Sequence, residues 1–389
     1  MKVNATNRVV QELKRLNEYR SASSSVNNWL AYCTNEASVI PANQELKRRN
    51  AEYDQPQNFQ LKENEALLYR MLKEQLGYCM GEYGGAVRDV FLKQIGRNMR
   101  VFYPEEFYRN PYISKIQLKP AVCGRFMLTY SDFDAFELFD YNTAIQNNDL
   151  CVDIPRIGCF AEEIKFPLVV EKSAYTEIVW MSVTPNEICT MEKPIEHARG
   201  KVLTLGCGMG YFAYMASLKE EVSSVTIVEC ERDVIDLFES YILPQFEHRE
   251  KINVVKGNAV EYLRNVKDGE FDYCFADIWT SANDLEPYFA VKEIGRNFDK
   301  TKIEYWIEDA IAGYLAGYVW PEIIDSFIIS NGGQLPYPSQ VKMAIIGDRG
   351  ARYIKRLLKN EEISQAQHIH YYMNPENIIS MIDKTDILF

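Results

Sequence analysis

Residues Lys201 to Glu229 limit the possible folds of this chain more tightly than any other stretch. The apolar run Val202 to Leu205 breaks into glycines at alternate positions, Gly206, Gly208 and Gly210, and a second apolar run ends on Glu229, 23 residues after Gly206. Glycines at a strand-to-helix turn allow positive φ and let a ligand approach the main chain where a Cβ would collide. An acid closing the next parallel strand can accept hydrogen bonds from both hydroxyls of a ribose. The pattern therefore predicts a nucleotide-type cofactor site. The dinucleotide fingerprint needs its third glycine at position 211, which is Tyr211, so a pyrophosphate and with it NAD are disfavoured.

Downstream, strand-like and helix-like segments alternate, the sign of βαβ units and a parallel sheet. Lys251 to Lys256 reads as a third strand, followed by Gly257-Asn258-Ala259 and a helix through Arg264; Phe271 to Ala276 reads as a fourth, ending on Asp277, Ile278 and Trp279. Glu229, Asn258 and Asp277 all fall at carboxyl ends of strands, where open α/β sheets bind ligands. Lys302 to Asp309 alternates for its first half and is expected to be a fifth strand that brings Glu308 and Asp309 to the same edge, with helix as the competing reading. Upstream, Thr184-Pro185-Asn186-Glu187 has the form of a capping box, with Thr184 as N-cap of a helix.

The Gly206-Cys207-Gly208-Met209-Gly210 turn resembles motif I of the class I S-adenosylmethionine-dependent methyltransferases. The resemblance covers residues 181 to about 310 and implies a Rossmann-like sheet with S-adenosylmethionine as cofactor. It implies a cofactor shell of Gly206, Cys207, Gly208, Gly210, Tyr211, Glu229, Asn258, Ala259, Asp277 and Trp279, with the methionine part on the glycine turn and Glu229 on the ribose. In that family the residue after the third strand, often Asp, holds the adenine amino group; here it is Asn258, whose oxygen can still accept and which also suits a helix N-cap. Tyr211 or Trp279 could wall the transfer site or pack in the core. Similar helices precede motif I in isoaspartyl and arginine methyltransferases and in aminopropyltransferases, and lie near the cofactor there.

Methyl transfer is an in-line displacement that chiefly needs alignment and exclusion of water. A base is needed only when the acceptor carries a proton. Asp277 is the first candidate for orienting or deprotonating an acceptor, and Glu308 the second. Three alternatives stay open. Aminopropyltransferases of the spermidine-synthase type share the fold and the acids, but usually carry a second Asp close behind the catalytic one, whereas here Asp284 follows only seven residues on. A methyltransferase fold kept as a non-catalytic binding module is the second, and an NAD-linked enzyme the weakest.

The fold class expected is thus α/β. A helical N-terminal region is expected over residues 1–98, where Leu61 to Leu72 has apolar residues at helical spacing. A small strand-bearing unit is expected over 99–180, with Arg125 to Tyr130 as one strand, and the cofactor-binding domain over 181–389, where Val341 to Ile346 could complete the sheet. The start Met-Lys-Val-Asn gathers no signal-peptide core and no run reaches a membrane span, so a cytoplasmic protein with no membrane partner is expected. Nine cysteines without a Cys-x-x-Cys pair argue against a disulfide framework. No metal site is expected, and His368 and His370, which would share a face in a strand, read as surface or packing residues.

A net charge of −12, with only short basic clusters at Lys47 to Arg49 and Arg352 to Lys359, disfavours nucleic acid. The Asn/Asp-Pro-Pro-Tyr and Pro-Cys signatures of DNA methyltransferases are also missing from the sequence. A small molecule or a protein side chain is the expected acceptor, and a homo-oligomer is compatible with the chain.

Overall fold

The computed structural model describes residues 1–35, 66, 68–70, 72–73, 81, 84–173, 176–336 and 348–385. The expected strand at Val341 to Ile346, the basic run Lys47 to Arg49 and most of the expected helix over Leu61 to Leu72 lie outside them.

Five strands form one sheet: β1 (Gly200–Leu205), β2 (Val222–Glu229), β3 (Ile252–Lys256), β4 (Tyr273–Ala276) and β5 (Lys302–Tyr305), in the order β3-β2-β1-β4-β5. Every neighbouring pair is parallel. This is a Rossmann-like α/β sheet, and its order reverses between β1 and β4, where such sheets open a crevice. Alternate residues face opposite cores. Leu203, Leu205, Cys274 and Ala276 pack with Leu263, Phe289 and Leu315, while Val202, Ile227, Tyr273 and Phe275 pack with Phe212, Met191 and Leu237. Burial on both faces explains why these strands read as unbroken apolar runs.

The fifth strand is shorter than its sequence suggested. It ends at Tyr305, Ile307 turns the chain in a left-handed conformation (φ 46°), and Glu308 and Asp309 start the helix Glu308–Ser330. The stripe Ile311, Leu315, Val319 and Ile323, all buried, explains the choice: a four-residue apolar spacing packs as a helix and not as a strand.

The residues before Val183 build two further sheets. One orders Ala121–Cys123, Phe126–Phe133, Ile164–Lys172 and Glu177–Ser182 as antiparallel neighbours; the other orders Arg100–Phe102, Val152–Phe160 and Phe139–Asn147. A cluster of phenylalanines, including Phe102, Phe107, Phe133, Phe139, Phe160 and Phe166, fills the space about them, with ring centroids 5.1–5.9 Å apart. Phe126, Phe160 and Phe166 share one core with β1, β2 and β4, so the strand-bearing segment and the parallel sheet are packed together. Among the described residues no helix is long and apolar enough to cross a membrane.

The two ends of the described chain meet. The strand Lys2–Val3 pairs in parallel with Glu362–Ile363, and Val9, Leu13 and Leu16 of the helix Asn7–Asn35 enter the core of the C-terminal helices. His368 and His370 lie on the helix Ala366–Met373 and not on a strand; His368 accepts from the backbone of Ser364. His370 joins three distant segments: its Nδ1 lies 3.4 Å from the Cys151 sulfur and 2.9 Å from the Asn148 carbonyl, and its Nε2 lies 2.9 Å from Glu12.

The contact to Cys151, then the Asn148 carbonyl and Glu12, raises His370 to about 9 against the opposing effect of burial. A group raised from its unfolded value stabilises the fold fully below that unfolded pKa and loses the contribution as pH rises through the folded one. The stability difference between wild type and His370→Gln is therefore expected to be largest below pH about 6.5 and to shrink as pH rises through about 9. Chemical denaturation of both proteins from pH 6 to 10 measures it; a constant difference would show that His370 acts by packing alone.

Candidate functional site

The three glycines of the turn all take positive φ, at 98° for Gly206, 51° for Gly208 and 73° for Gly210, but for different reasons. A Cβ on Gly206 would stand 2.2 Å from the carbonyl oxygen of Asp277, and one on Gly210 would stand 2.4 Å from the Phe238 ring. Those two are packing glycines. Around Gly208 nothing lies within 4 Å of the Cβ position, so this residue presents bare main chain to open space at the carboxyl end of β1.

Glu229 closes β2 and gathers the turn. Its carboxylate accepts from the backbone N–H of Cys207 (3.1 Å), Cys230 (2.8 Å) and Glu231 (2.9 Å). A carboxylate offers about four acceptor positions, and the Cys230 side chain bonds to this one as well, so an outside donor would have to displace the exposed Cys230 thiol. Cys207 thus bonds through its backbone, while its thiol is buried and held well above the usual thiol range, by burial first and the Glu229 charge second. Asn258 is exposed and caps the helix Ala259–Asn265 by accepting from Glu261 N–H (3.0 Å), and Ala259 is buried behind it.

Asp277 follows β4, and its backbone N–H donates to the Leu205 carbonyl at 2.9 Å, which locks it beside the glycine turn. The residue keeps some exposed surface, yet the carboxyl lies deep enough that burial pushes it up to about 7. Glu187 stands close by. Burial, reinforced by the Asp277 charge, pushes Glu187 up to about 8 against the pull of a 3.0 Å hydrogen bond from the Ser182 hydroxyl. Its place in the capping motif concealed this role: Thr184 is the N-cap by position but makes no side-chain cap bond, and Glu187 reaches back to Ser182 and the backbone instead.

Three expected site residues are taken up by contacts within the protein. Trp279 is 3 % exposed, donates from Nε1 to the Trp306 carbonyl at 3.1 Å and packs edge-on against Tyr288, so its ring belongs to the core. Tyr211 is buried against Tyr112, and its hydroxyl accepts from Asn110 Nδ2 at 2.9 Å. Glu308 takes the buried Lys292 ammonium (2.7 Å) and the Tyr288 hydroxyl (2.8 Å), which commits it to an ion pair in place of an acceptor.

Besides Glu187, sequence reasoning missed Tyr112. Its buried hydroxyl donates to the carbonyl of Met209, the residue between two of the glycines, at 2.6 Å. The signal was an aromatic in a Pro-Tyr dipeptide 97 residues upstream, which nothing local distinguishes. Among the described residues the grouping that could hold a metal is Cys123, Asp233 and Asp236. Burial and the two carboxylates raise the Cys123 thiol, which works against the thiolate that a soft metal needs.

No family model matches the chain, and no curated protein matches it. Solved structures similar to it include spermidine synthase from Thermotoga maritima, at 16 % identity over 36 % of this chain and 52 % of that one, with a TM-score of 0.26. A spermidine synthase in complex with the transition-state analogue AdoDATO matches at 16 % identity over 36 % of this chain and 54 % of that one, with a TM-score of 0.27. Monomeric WbdD matches at 17 % identity over 31 % and 29 %, with a TM-score of 0.23. The matched part spans about half the length of the two spermidine synthases.

Two stability predictions come from this geometry. Gly208→Ala costs about 1–2 kcal/mol, the ordinary penalty of a left-handed non-glycine residue, whereas Gly206→Ala must displace the Asp277 backbone and costs on the order of 3–5 kcal/mol. Equal losses in urea melts would contradict the different roles given to the two glycines. The carboxyls act in the opposite direction. A carboxyl whose folded pKa is raised binds its proton more tightly when folded, so stability falls as pH climbs from the unfolded pKa to the folded one. Asp277→Asn is therefore expected to raise the melting temperature at pH 8, the gain fading to nothing below pH about 4. A variant less stable than wild type at pH 8 would mean that the carboxylate is held by favourable contacts.

Proposed function

We propose that the chain is an S-adenosylmethionine-dependent methyltransferase acting on an amine or hydroxyl of a small molecule or protein side chain. The observation that carries the reading is the pairing of the Gly208 opening with two carboxyls raised to about 7 and 8 at the same sheet edge. The residues fit the cofactor: bare main chain at Gly208 leaves room that any Cβ would take, and at Glu229 a ribose hydroxyl would replace the exposed Cys230 thiol on the carboxylate.

Bound there, S-adenosylmethionine supplies an electrophilic methyl carbon on a sulfonium. The protein's own part is positional and acid–base. Glu229 and the Gly208 backbone orient the nucleoside and the amino acid part, and the Tyr112 hydroxyl, by holding Met209, keeps the turn from relaxing. Asp277, with its pKa near neutrality, takes the proton that an ammonium acceptor must lose before its nitrogen can attack, or that a hydroxyl loses as its oxygen attacks. Glu187 keeps a proton at neutral pH and can donate a hydrogen bond while Asp277 is charged, so that the pair carries one charge and not two.

Titration calorimetry with S-adenosylmethionine, its decarboxylated form, S-adenosylhomocysteine and NAD tests the reading. S-adenosylmethionine and S-adenosylhomocysteine are expected to bind, NAD is not, and Gly208→Ala should weaken the first two at least tenfold. A clear preference for the decarboxylated form would replace methyl transfer by aminopropyl transfer, and binding without turnover over a panel of amines and alcohols would leave a binding module. Where turnover is found, Asp277→Asn is expected to slow it by about 10²- to 10⁴-fold, with S-adenosylhomocysteine affinity retained and the rise of rate through pH about 7 lost. Undiminished turnover would remove Asp277 from the reaction.

A further inference from the structure

Away from the glycine turn lies a cavity of about 480 Å³, open at one side, between the outer edge of β5, the helix Pro185–His197 and the strands Phe139–Asn147 and Val152–Phe160. Its size suits a small-molecule ligand. Neither the glycines, Glu229 nor Asp277 line it.

Its charges sort into satisfied and unsatisfied. Glu304, on the wall, is taken by His197 (2.7 Å), by the Tyr273 hydroxyl (2.7 Å) and by Lys302. Glu308 is taken by Lys292 and Tyr288. Arg156 is different: among the described residues no ion pair holds its guanidinium, and its Nε is buried without a hydrogen-bond partner. Beside it, Asn142, also on the lining, spends its side-chain oxygen on the Thr143 N–H (2.7 Å), and its amide hydrogens have no partner among the described residues. At the mouth Glu192, Lys193 and Asp309 are exposed, and no ion pair holds them among the described residues. The inner wall thus asks for an anion, while the mouth, with two acids to one base, disfavours a polyanion and suits a positive group.

We propose that this cavity binds a small zwitterion, an amino acid or a close relative, with its carboxylate on Arg156 and Asn142 and its ammonium toward Glu192 and Asp309. Arginine is suited to the inner position because its fork grips a carboxylate with two parallel bonds. The site is independent of the cofactor reading.

The test is calorimetry on the full chain with the twenty standard α-amino acids, their deaminated acids, their decarboxylated amines and inorganic phosphate. At least one amino acid should bind with a dissociation constant of about 1 mM or tighter, and at least tenfold more tightly than its deaminated acid or its amine. Arg156→Gln should abolish that binding, and Arg156→Lys should weaken it while keeping the charge. Glu192→Gln with Asp309→Asn should erase the preference over the deaminated acid. A cooperative melt checks the fold of each variant, and if Arg156→Gln does not fold, Arg156→Lys and Asn142→Ala carry the same comparison. S-adenosylhomocysteine affinity should be unchanged by Arg156→Gln, which separates failure here from failure at the glycine turn. No amino acid binding, binding untouched by the Arg156 variants, or phosphate or the plain acid binding as tightly as the amino acid would each overturn the proposal.

Discussion

The approach of Gly206 to the carbonyl oxygen of Asp277 is the constraint on which the rest of the site depends. With a Cβ position 2.2 Å from that oxygen, the ends of β1 and β4 can close up only if position 206 has no side chain. The closure sets the Asp277 N–H on Leu205 and brings its carboxyl to the sheet's switch point, while the next turn is left to swing outward at Gly208. A single steric fact therefore places an acid and an opening side by side.

Holding two carboxyls in that position works against the fold. Burial penalises the charged form of Asp277 and of Glu187, and the Asp277 charge makes ionisation of Glu187 harder still. A structure selected only for stability would place neutral or apolar groups there. Perturbed carboxyls in a crevice are more common at functional sites than elsewhere, and structural networks that perturb pKa usually do so through ion pairs. For Asp277 burial is the sole cause of the shift, which sets it apart from Glu308 and Glu304 with their lysine and histidine partners.

The parallel sheet was legible because its strands are buried on both faces and its turns use glycine for steric reasons; both leave marks in the local sequence. Asp277 was legible for the same reason, as the residue on which an apolar run stops. What could not be read was direction. Trp279 stands two residues past that acid, but its ring turns into the core behind the sheet, and Tyr211 turns beneath the segment Pro111–Lys115. Nothing in spacing says which way a large side chain leaves a turn. Glu308 could be seen as an acid after a strand, but its partner Lys292 lies in another helix and only tertiary packing pairs them. Glu187 was visible as a cap residue, and its nearness to Asp277 is a fact of how the helix Pro185–His197 lies over the crevice. The roles assigned to Gly208, Glu229 and Asp277 stay proposals, resting on placement.

The segment before residue 181 is more than a covering layer, because it touches the glycine turn at the point where the turn is least able to hold itself. A run of left-handed residues is intrinsically loose, since each glycine in it gives up more conformational freedom on ordering than any other residue does. Two side chains offset that looseness from opposite sides. Glu229 draws in the backbone N–H of Cys207 from the sheet, and Tyr112 holds the Met209 carbonyl from the strand-bearing segment, where its ring also packs on Tyr211 and Tyr214. The buried phenol is pushed far above its usual pKa by burial, so it remains a hydrogen-bond donor at any pH the protein meets. Order in the turn thus depends on contacts made 97 residues away in sequence, and the core that joins Phe126 and Phe166 to β1 and β4 keeps those contacts in register. For the binding proposed at Gly208, a turn ordered in this way before a ligand arrives lowers the entropic cost.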